Sequence, residues 1–196
     1  MEERLFKSGY KKILAIDEVG RGSLAGPLYV GGLLLNFKQF KELKEISITD
    51  SKKLNPLKRK IIFQLIQKLN LSYKIVKFSN KKIDKYGIGQ CFNRGVIELY
   101  RFFKPDFVLI DGKEIKYLKN KIKNVKFLVN GDSLLISIGA ISIISKVLRD
   151  SYMEKLAKKI NNYEFEKNKG YGTYNHFKKI KKYGLSQYHR RSFLRL

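Results

Sequence analysis

Residues 12–36 read KILAIDEVGRGSLAGPLYVGGLLLN, two apolar runs separated by a glycine-rich link. The first run, KILAIDE at 12–18, has the length and composition of a β-strand, and so has LYVGGLLLN at 28–36. Joined by VGRGSLAGP, the two are expected to form a hairpin-like pair. Asp17 and Glu18 close the first strand directly after Ile13-Leu14-Ala15-Ile16. A charge at the edge of a buried strand costs roughly several kcal/mol unless it is paired or bound to a metal. Neighbouring strand residues point to opposite faces, so both acids serve one site only if the strand ends or twists there, which Gly20 and Gly22 permit.

Downstream, Thr49-Asp50-Ser51 leads into a helical pattern with Pro56 near its first turn. Leu57, Ile61, Ile62, Leu65, Ile66 and Leu69 form a face predicted to pack inward. Residues 71–79 read as a strand, and Ile88 to Phe103 as a helix that Lys104-Pro105 ends. FVLID at 107–111 is expected as a central strand, KFLV at 126–129 as another, and a long helix from about Ser133 to Ile160. One more helix follows Tyr171. This order predicts an α/β sheet in one domain, 1–196, with about 160–196 folding over the main body as a helical extension.

Three strands finish in acids: Asp17 and Glu18 on the first, Asp111 after Phe107-Val108-Leu109-Ile110, and Asp132 after Phe127-Leu128-Val129-Asn130-Gly131. Carboxylates delivered to the strand ends of an open sheet can converge on one crevice. Hard oxygen ligands of this kind suit Mg²⁺ or Mn²⁺, and two such ions suit phosphodiester hydrolysis. Any one of these acids taken alone could instead cap the next turn or helix. Gly20-Arg21-Gly22 offers unobstructed backbone N–H groups beside a guanidinium, suited to a phosphate or a ribose hydroxyl, and equally to a simple tight turn. Gly20, Gly22 and Ala25 also satisfy the relaxed dinucleotide fingerprint, but LYVGGLLL after Gly26-Pro27 is strand rather than the helix that fingerprint needs.

There are 42 Lys and Arg against 17 Asp and Glu, a net charge of +25, so the surface should attract polyanions, nucleic acid first among them. A general drift toward lysine would also produce part of that excess. Cys91 has no partner for a disulfide, and His176 and His189 lie apart in sequence, so neither a disulfide nor a Cys/His zinc cluster is expected. The N-terminus lacks the apolar core of a signal peptide, and the apolar stretch from Leu134 to Val147 falls short of the about 18 residues of a membrane span. A cytoplasmic protein without membrane association is expected.

Set side by side, these segments resemble the ribonuclease HII family. The resemblance is carried by Ile16 to Pro27 (IDEVGRGSLAGP), Asp50 to Leu54 (DSKKL), Ile110-Asp111-Gly112, Gly131-Asp132, and Ser137 to Asp150. Lys169-Gly170-Tyr171-Gly172-Thr173 and His189-Arg190-Arg191-Ser192-Phe193 extend it almost to the C-terminus. It implies a ribonuclease H-like fold, a central mixed β-sheet flanked by helices with a helical C-terminal portion. It also implies a metal-dependent endoribonuclease that acts as a monomer on RNA·DNA hybrids and on ribonucleotide-containing duplex DNA. By the same resemblance Asp17, Glu18, Asp111 and Asp132 take the catalytic and metal-binding roles for two Mg²⁺ or Mn²⁺ ions. Gly20, Arg21 and Gly22 match the loop that contacts the ribonucleotide, and Tyr171 the tyrosine that stacks on the following sugar. Ser23 stands where proline is common, and Gly139 and Ile141 where alanines are, so Gly139 should loosen its helix and Ile141 needs extra room.

Simpler roles are expected elsewhere. Lys52 and Lys53 read as solvated or phosphate-contacting, Ser137, Ser142 and Ser145 as small packing residues, and Cys91 as core. Arg149-Asp150, far along the long helix, reads either as support behind the acids or as a purely structural pair, and Tyr183, Tyr188, His189 and Arg190 as DNA contacts or helix caps. A nucleic-acid-binding protein of the same fold without turnover is the rival, and the intact acids argue against it.

Overall fold

The computed structural model describes residues 1–46, 48 and 54–194. Asp50, Ser51, Lys52 and Lys53 of the DSKKL segment lie outside the described residues. Strand β1 (Ile13–Val19) pairs antiparallel with β2 (Leu28–Leu35), in register from Ile13↔Leu35 to Val19↔Tyr29, which is the expected hairpin-like pair. β3 (Ser72–Phe78) adds antiparallel to β2, while β4 (Phe107–Asp111) lies parallel to β1 and β5 (Val125–Leu128) parallel to β4. The sheet order β3-β2-β1-β4-β5 is mixed, with β1 at its centre.

The two-residue period of β1 divides the core. Leu14 and Ile16 face a cluster with Phe92, Val96 and Leu99 of a helix at Ile88–Phe103, whereas Ile13 and Ala15 face Ile138, Ile141 and Ile144 of a longer helix at Ile136–Lys159. Counting in chain order, the helices are α1 (Glu2–Lys7), α2 (Phe37–Glu45), α3 (Pro56–Lys68), α4 (Asn80–Tyr86), α5 (Ile88–Phe103) and α6 (Lys116–Lys121). They continue with α7 (Gly131–Leu134), α8 (Ile136–Lys159), α9 (Phe165–Asn168) and α10 (Tyr174–Tyr183). The room that Ile141 needs is supplied by Gly31 on the sheet face beneath α8, where a Cβ would fall 2.9 Å from Ile141 Cγ1.

Two expectations about helices are corrected. The long helix from about Ser133 is broken at Leu135, which is extended (φ −125°, ψ 129°), so α7 and α8 are separate. The new N-terminus is satisfied from far away: the buried Glu2 carboxylate accepts the N–H of Ile136 at 3.1 Å and of Ser137 at 3.0 Å. In α3 the predicted inward face is split. Ile62, Ile66 and Leu69 pack against the core, but Leu57, Ile61 and Leu65 are 68%, 49% and 40% exposed, because the helix is rolled toward Phe63.

The C-terminal segment is tied to the link between β1 and β2. Isolated bridges join Ser23 to Tyr171 and Ala25 to His189, and Ala25 packs with Met153, Leu156, Tyr163, Phe165 and Ile180 in a third cluster. Among the described residues no helix is long and apolar enough to cross a membrane.

Replacing Glu2 by Ala leaves two N–H groups of α8, the one at Ser137 buried and the one at Ile136 half-buried, without their acceptor. Unfolding by urea should show a loss of about 1–2 kcal/mol, with Glu2→Gln, which keeps one acceptor, losing less.

Candidate active site

Because β1 and β4 are parallel and paired through Ile16↔Ile110, the residues that follow each of these arrive at the same end of the sheet. Asp17 and Asp111 therefore stand next to each other on neighbouring strands. Together with Glu18 they line one cleft of about 400 Å³, shared with Gly20, Arg21, Gly22 and Tyr171. The alternation of β1 sends Asp17 toward α8 and Glu18 toward α5, yet both reach the cleft because it lies over the strand's end.

Asp132 is placed differently. It is 3% exposed on α7 and is not part of the cleft lining, but it follows Gly131, whose N–H donates to Asp111 Oδ1 at 2.6 Å. A Cβ at Gly139 would fall 2.9 Å from the Asp132 carbonyl oxygen, so the glycine allows α8 to lie close against the Asp132 backbone, a role beyond the expected loosening. Among the described residues no three or more His, Cys, Asp or Glu side chains are drawn together tightly enough to hold a metal ion.

The electrostatics of the cleft nevertheless fit a cation. Burial, with Glu18 and Asp111 adding repulsion, pushes the Asp17 carboxyl up to about 8. Glu18 is raised by burial as well, against the pull of Arg21, whose Nε lies 2.6 Å from Glu18 Oε1. Cationic side chains near the acids are already engaged. Arg21 also lies over the Phe92 ring at 4.9 Å, Lys146 pairs with Asp150 at 2.9 Å, and Arg59 donates to the Leu54 carbonyl at 2.7 Å. An all-carboxylate donor set that repels itself is suited to a hard divalent ion.

Several residues have roles that the sequence did not disclose. Ser142 lines the cleft and hydrogen-bonds to Asp17, so it is more than a small packing residue. Arg149 has a structural role: it is fully buried and donates to the Pro27 and Lys169 carbonyls and to Ser23 Oγ, while Asp150 pairs with Lys146. His189 and Arg190 are 1% and 0% exposed, which removes them as DNA contacts. His176 and His189, distant in sequence, meet with Nε2 atoms 3.1 Å apart. Cys91 is buried core as expected. Gly20, at φ +91°, turns the chain out of β1, and a Cβ there would strike the Arg149 side chain and approach Pro27 O to 2.9 Å.

With this geometry in place, comparison with known proteins is decisive. The family described as "Ribonuclease HII" matches residues 14–196. The chain belongs to the ribonuclease HII family. A ribonuclease HII of Clostridium beijerinckii is 42% identical over 94% of this chain and 68% of its own length. Among solved structures, the ribonuclease H2 of Pyrococcus horikoshii OT3 superposes with a TM-score of 0.77 at 26% identity, covering 92% of this chain and 93% of its own. The ribonuclease HII of Archaeoglobus fulgidus, solved in complex with PCNA, reaches a TM-score of 0.81 at 23% identity, covering 94% and 96%. The fold is thus that of ribonuclease H, and membership of the ribonuclease HII family makes the chain a metal-dependent nuclease, an endonuclease acting on RNA in hybrids.

A carboxyl raised above its unfolded value holds its proton more tightly when folded, so its contribution to stability is present at low pH. That contribution is lost as pH rises from about 4, the ordinary aspartate value, toward the folded value of about 8. In EDTA, thermal unfolding should show wild-type stability falling over this window relative to Asp17→Asn, with the gap between them widening up to about pH 8. A constant gap would remove Asp17 from the strained set.

Proposed function

We propose that this chain incises both RNA·DNA hybrids and duplex DNA containing single ribonucleotides, leaving a 3′-hydroxyl and a 5′-phosphate, and that Asp17, Glu18, Asp111 and Asp132 are its catalytic acids. The observation that carries the reading is that Asp17, Glu18 and Asp111 share one cleft with Gly20, Arg21, Gly22 and Tyr171, acids on one side and groups able to sense a ribose on the other. In this reading the chain works as a monomeric, cytoplasmic, single-domain enzyme, 1–196, in which the helical extension of about 160–196 brings Tyr171 to the glycine loop.

The four acids would hold two Mg²⁺ or Mn²⁺ ions, with Asp132 joining the set through its place beside the Gly131–Asp111 hydrogen bond. Such ions, when bound, lower the pKa of water and stabilise charge on the departing oxygen. The protein's own groups do the rest. Arg21 holds the Glu18 carboxylate, and Ser142 holds Asp17, so both acids are oriented before substrate arrives. Backbone N–H groups of Gly20-Arg21-Gly22 meet the 2′-hydroxyl without reading the base, which makes sequence preference weak. Tyr171, flanked by Lys146 and Arg149 each 5.4 Å from its ring, stacks on the next sugar. The surplus of basic residues docks the duplex through its phosphates.

The test is a nicking assay on a duplex carrying one ribonucleotide and on an RNA·DNA hybrid, each with Mg²⁺, Mn²⁺ or EDTA. Metal-dependent nicking at the ribonucleotide is expected; binding without nicking would instead favour the non-catalytic rival. Asp111→Asn should lower turnover by about two to three orders of magnitude while leaving duplex affinity largely intact. Near-normal turnover would take Asp111 out of the site. Tyr171→Ala should lower kcat/KM about tenfold or more and Tyr171→Phe much less, since stacking is worth about 1–3 kcal/mol and survives in phenylalanine. The reverse order would shift the role to the hydroxyl.

A further inference from the structure

His189 and Arg190 are consecutive, wholly buried and polar, and nothing in the reaction chemistry above uses them. Their contacts run to two different places. Arg190 donates through Nε to the Gly26 carbonyl at 3.0 Å and through Nη1 to the Arg21 carbonyl at 3.0 Å. Its Nη2 is buried with no hydrogen-bond partner. Among the described residues Arg190 makes no ion pair, and a buried cation without a counter-ion carries a cost that an apolar side chain of the same size would avoid. The peptide between Arg21 and Gly22 is trans, so its C=O and N–H point in opposite directions. With the Arg21 carbonyl turned inward to Arg190, the Gly22 N–H is turned away from the interior, and Gly22 lines the cleft.

His189 leads instead to Tyr171. Its Nδ1 accepts from the Ser186 N–H at 3.0 Å, so its Nε2 carries the proton and faces His176 Nε2 at 3.1 Å. His176 then accepts at Nε2 and donates from Nδ1 to the Tyr171 carbonyl at 2.8 Å. Each ring is satisfied only when neutral. Burial lowers both, with His189 pushed down to about 4, which agrees with that assignment. The chain of donors therefore runs one way, from Ser186 through both imidazoles to the backbone of Tyr171.

We infer that His189-Arg190 is the positioning element of ribonucleotide recognition, Arg190 setting the Arg21–Gly22 peptide and His189, acting through His176, setting Tyr171. The inference rests on the proposed reading in which the glycine loop and Tyr171 contact the ribonucleotide. One dipeptide thus aligns two neighbouring groups that line the same cleft. Neither residue touches substrate itself.

The experiment measures kcat and KM on a duplex with one ribonucleotide, affinity for the all-DNA duplex of the same sequence, and melting temperature, for Arg190→Met, Arg190→Lys, His189→Phe and His189→Gln. Arg190→Met should raise KM and lower kcat/KM about ten- to a hundredfold, as misplaced binding groups do, with all-DNA affinity unchanged. Arg190→Lys, which keeps one donor, and His189→Gln, which keeps a donor toward His176, should each recover part of the loss. His189→Phe should add little to Tyr171→Ala, whereas Arg190→Met should add to it in full. A loss of kcat alone, matching the unfolded fraction with KM untouched, would overturn the inference, as would full additivity of His189→Phe with Tyr171→Ala. Should Arg190→Met fail to fold, Arg190→Lys decides by the same KM criterion. Wild-type kinetics left unchanged by Tyr171→Ala would instead sink the underlying reading of the cleft, whatever the dipeptide variants do.

Discussion

Repulsion among acids at one sheet edge is the constraint around which this molecule is arranged. The parallel pairing of β1 with β4 places Asp17 and Asp111 side by side, and Glu18 follows in the same cleft. Burial makes the crowding severe, since water that would screen the charges is displaced by α8 on one face and α5 on the other. A fold that only needed stability would place apolar residues there. The acids are instead held in place by Ser142, Arg21 and the Gly131 N–H, and such a donor set suits a hard cation.

A second electrostatic arrangement lies behind the first. Arg149 and Arg190 are fully buried and are met by backbone carbonyls instead of carboxylates. Carbonyl dipoles accept from most of the guanidinium N–H groups, Arg190 Nη2 excepted, without cancelling the charge, so the glycine loop rests on a net positive base. In the proposed reading the negative cluster meets the ions and the scissile phosphate, and the positive one supports the loop that meets the ribose. Both burials raise the free energy of the folded chain, which the three apolar clusters must offset.

Much of this was legible in the residues themselves. The strands at 12–18, 28–36 and 107–111 follow from short apolar runs bounded by glycine or proline, and Asp17, Glu18 and Asp111 were conspicuous because each ends such a run. What escaped depends on contacts distant along the chain. The break at Leu135 is stabilised by Glu2, 134 residues before Ile136, and no local propensity announces it. The outward turn of Leu57, Ile61 and Leu65 reflects which side of α3 meets α8, a choice that periodicity alone leaves open. His189 and Arg190 read as DNA contacts or helix caps, yet the bridge from Ala25 draws that strip inside. Ser142 was hidden by its apolar neighbours on the helix.

Helix α8 also acts as a ruler. Ser142 touches Asp17, Lys146 lines the cleft, Arg149 gathers the carbonyls of the β1–β2 link, and Met153 enters the C-terminal cluster. These side chains recur every three or four residues along one stripe, and at about 1.5 Å of rise per residue the spacing from the acids to the loop is fixed by helical pitch. Adding or deleting one residue between Ser142 and Met153 would swing everything beyond it by about 100°. The length of this rod is therefore as much a part of the site as the side chains it carries.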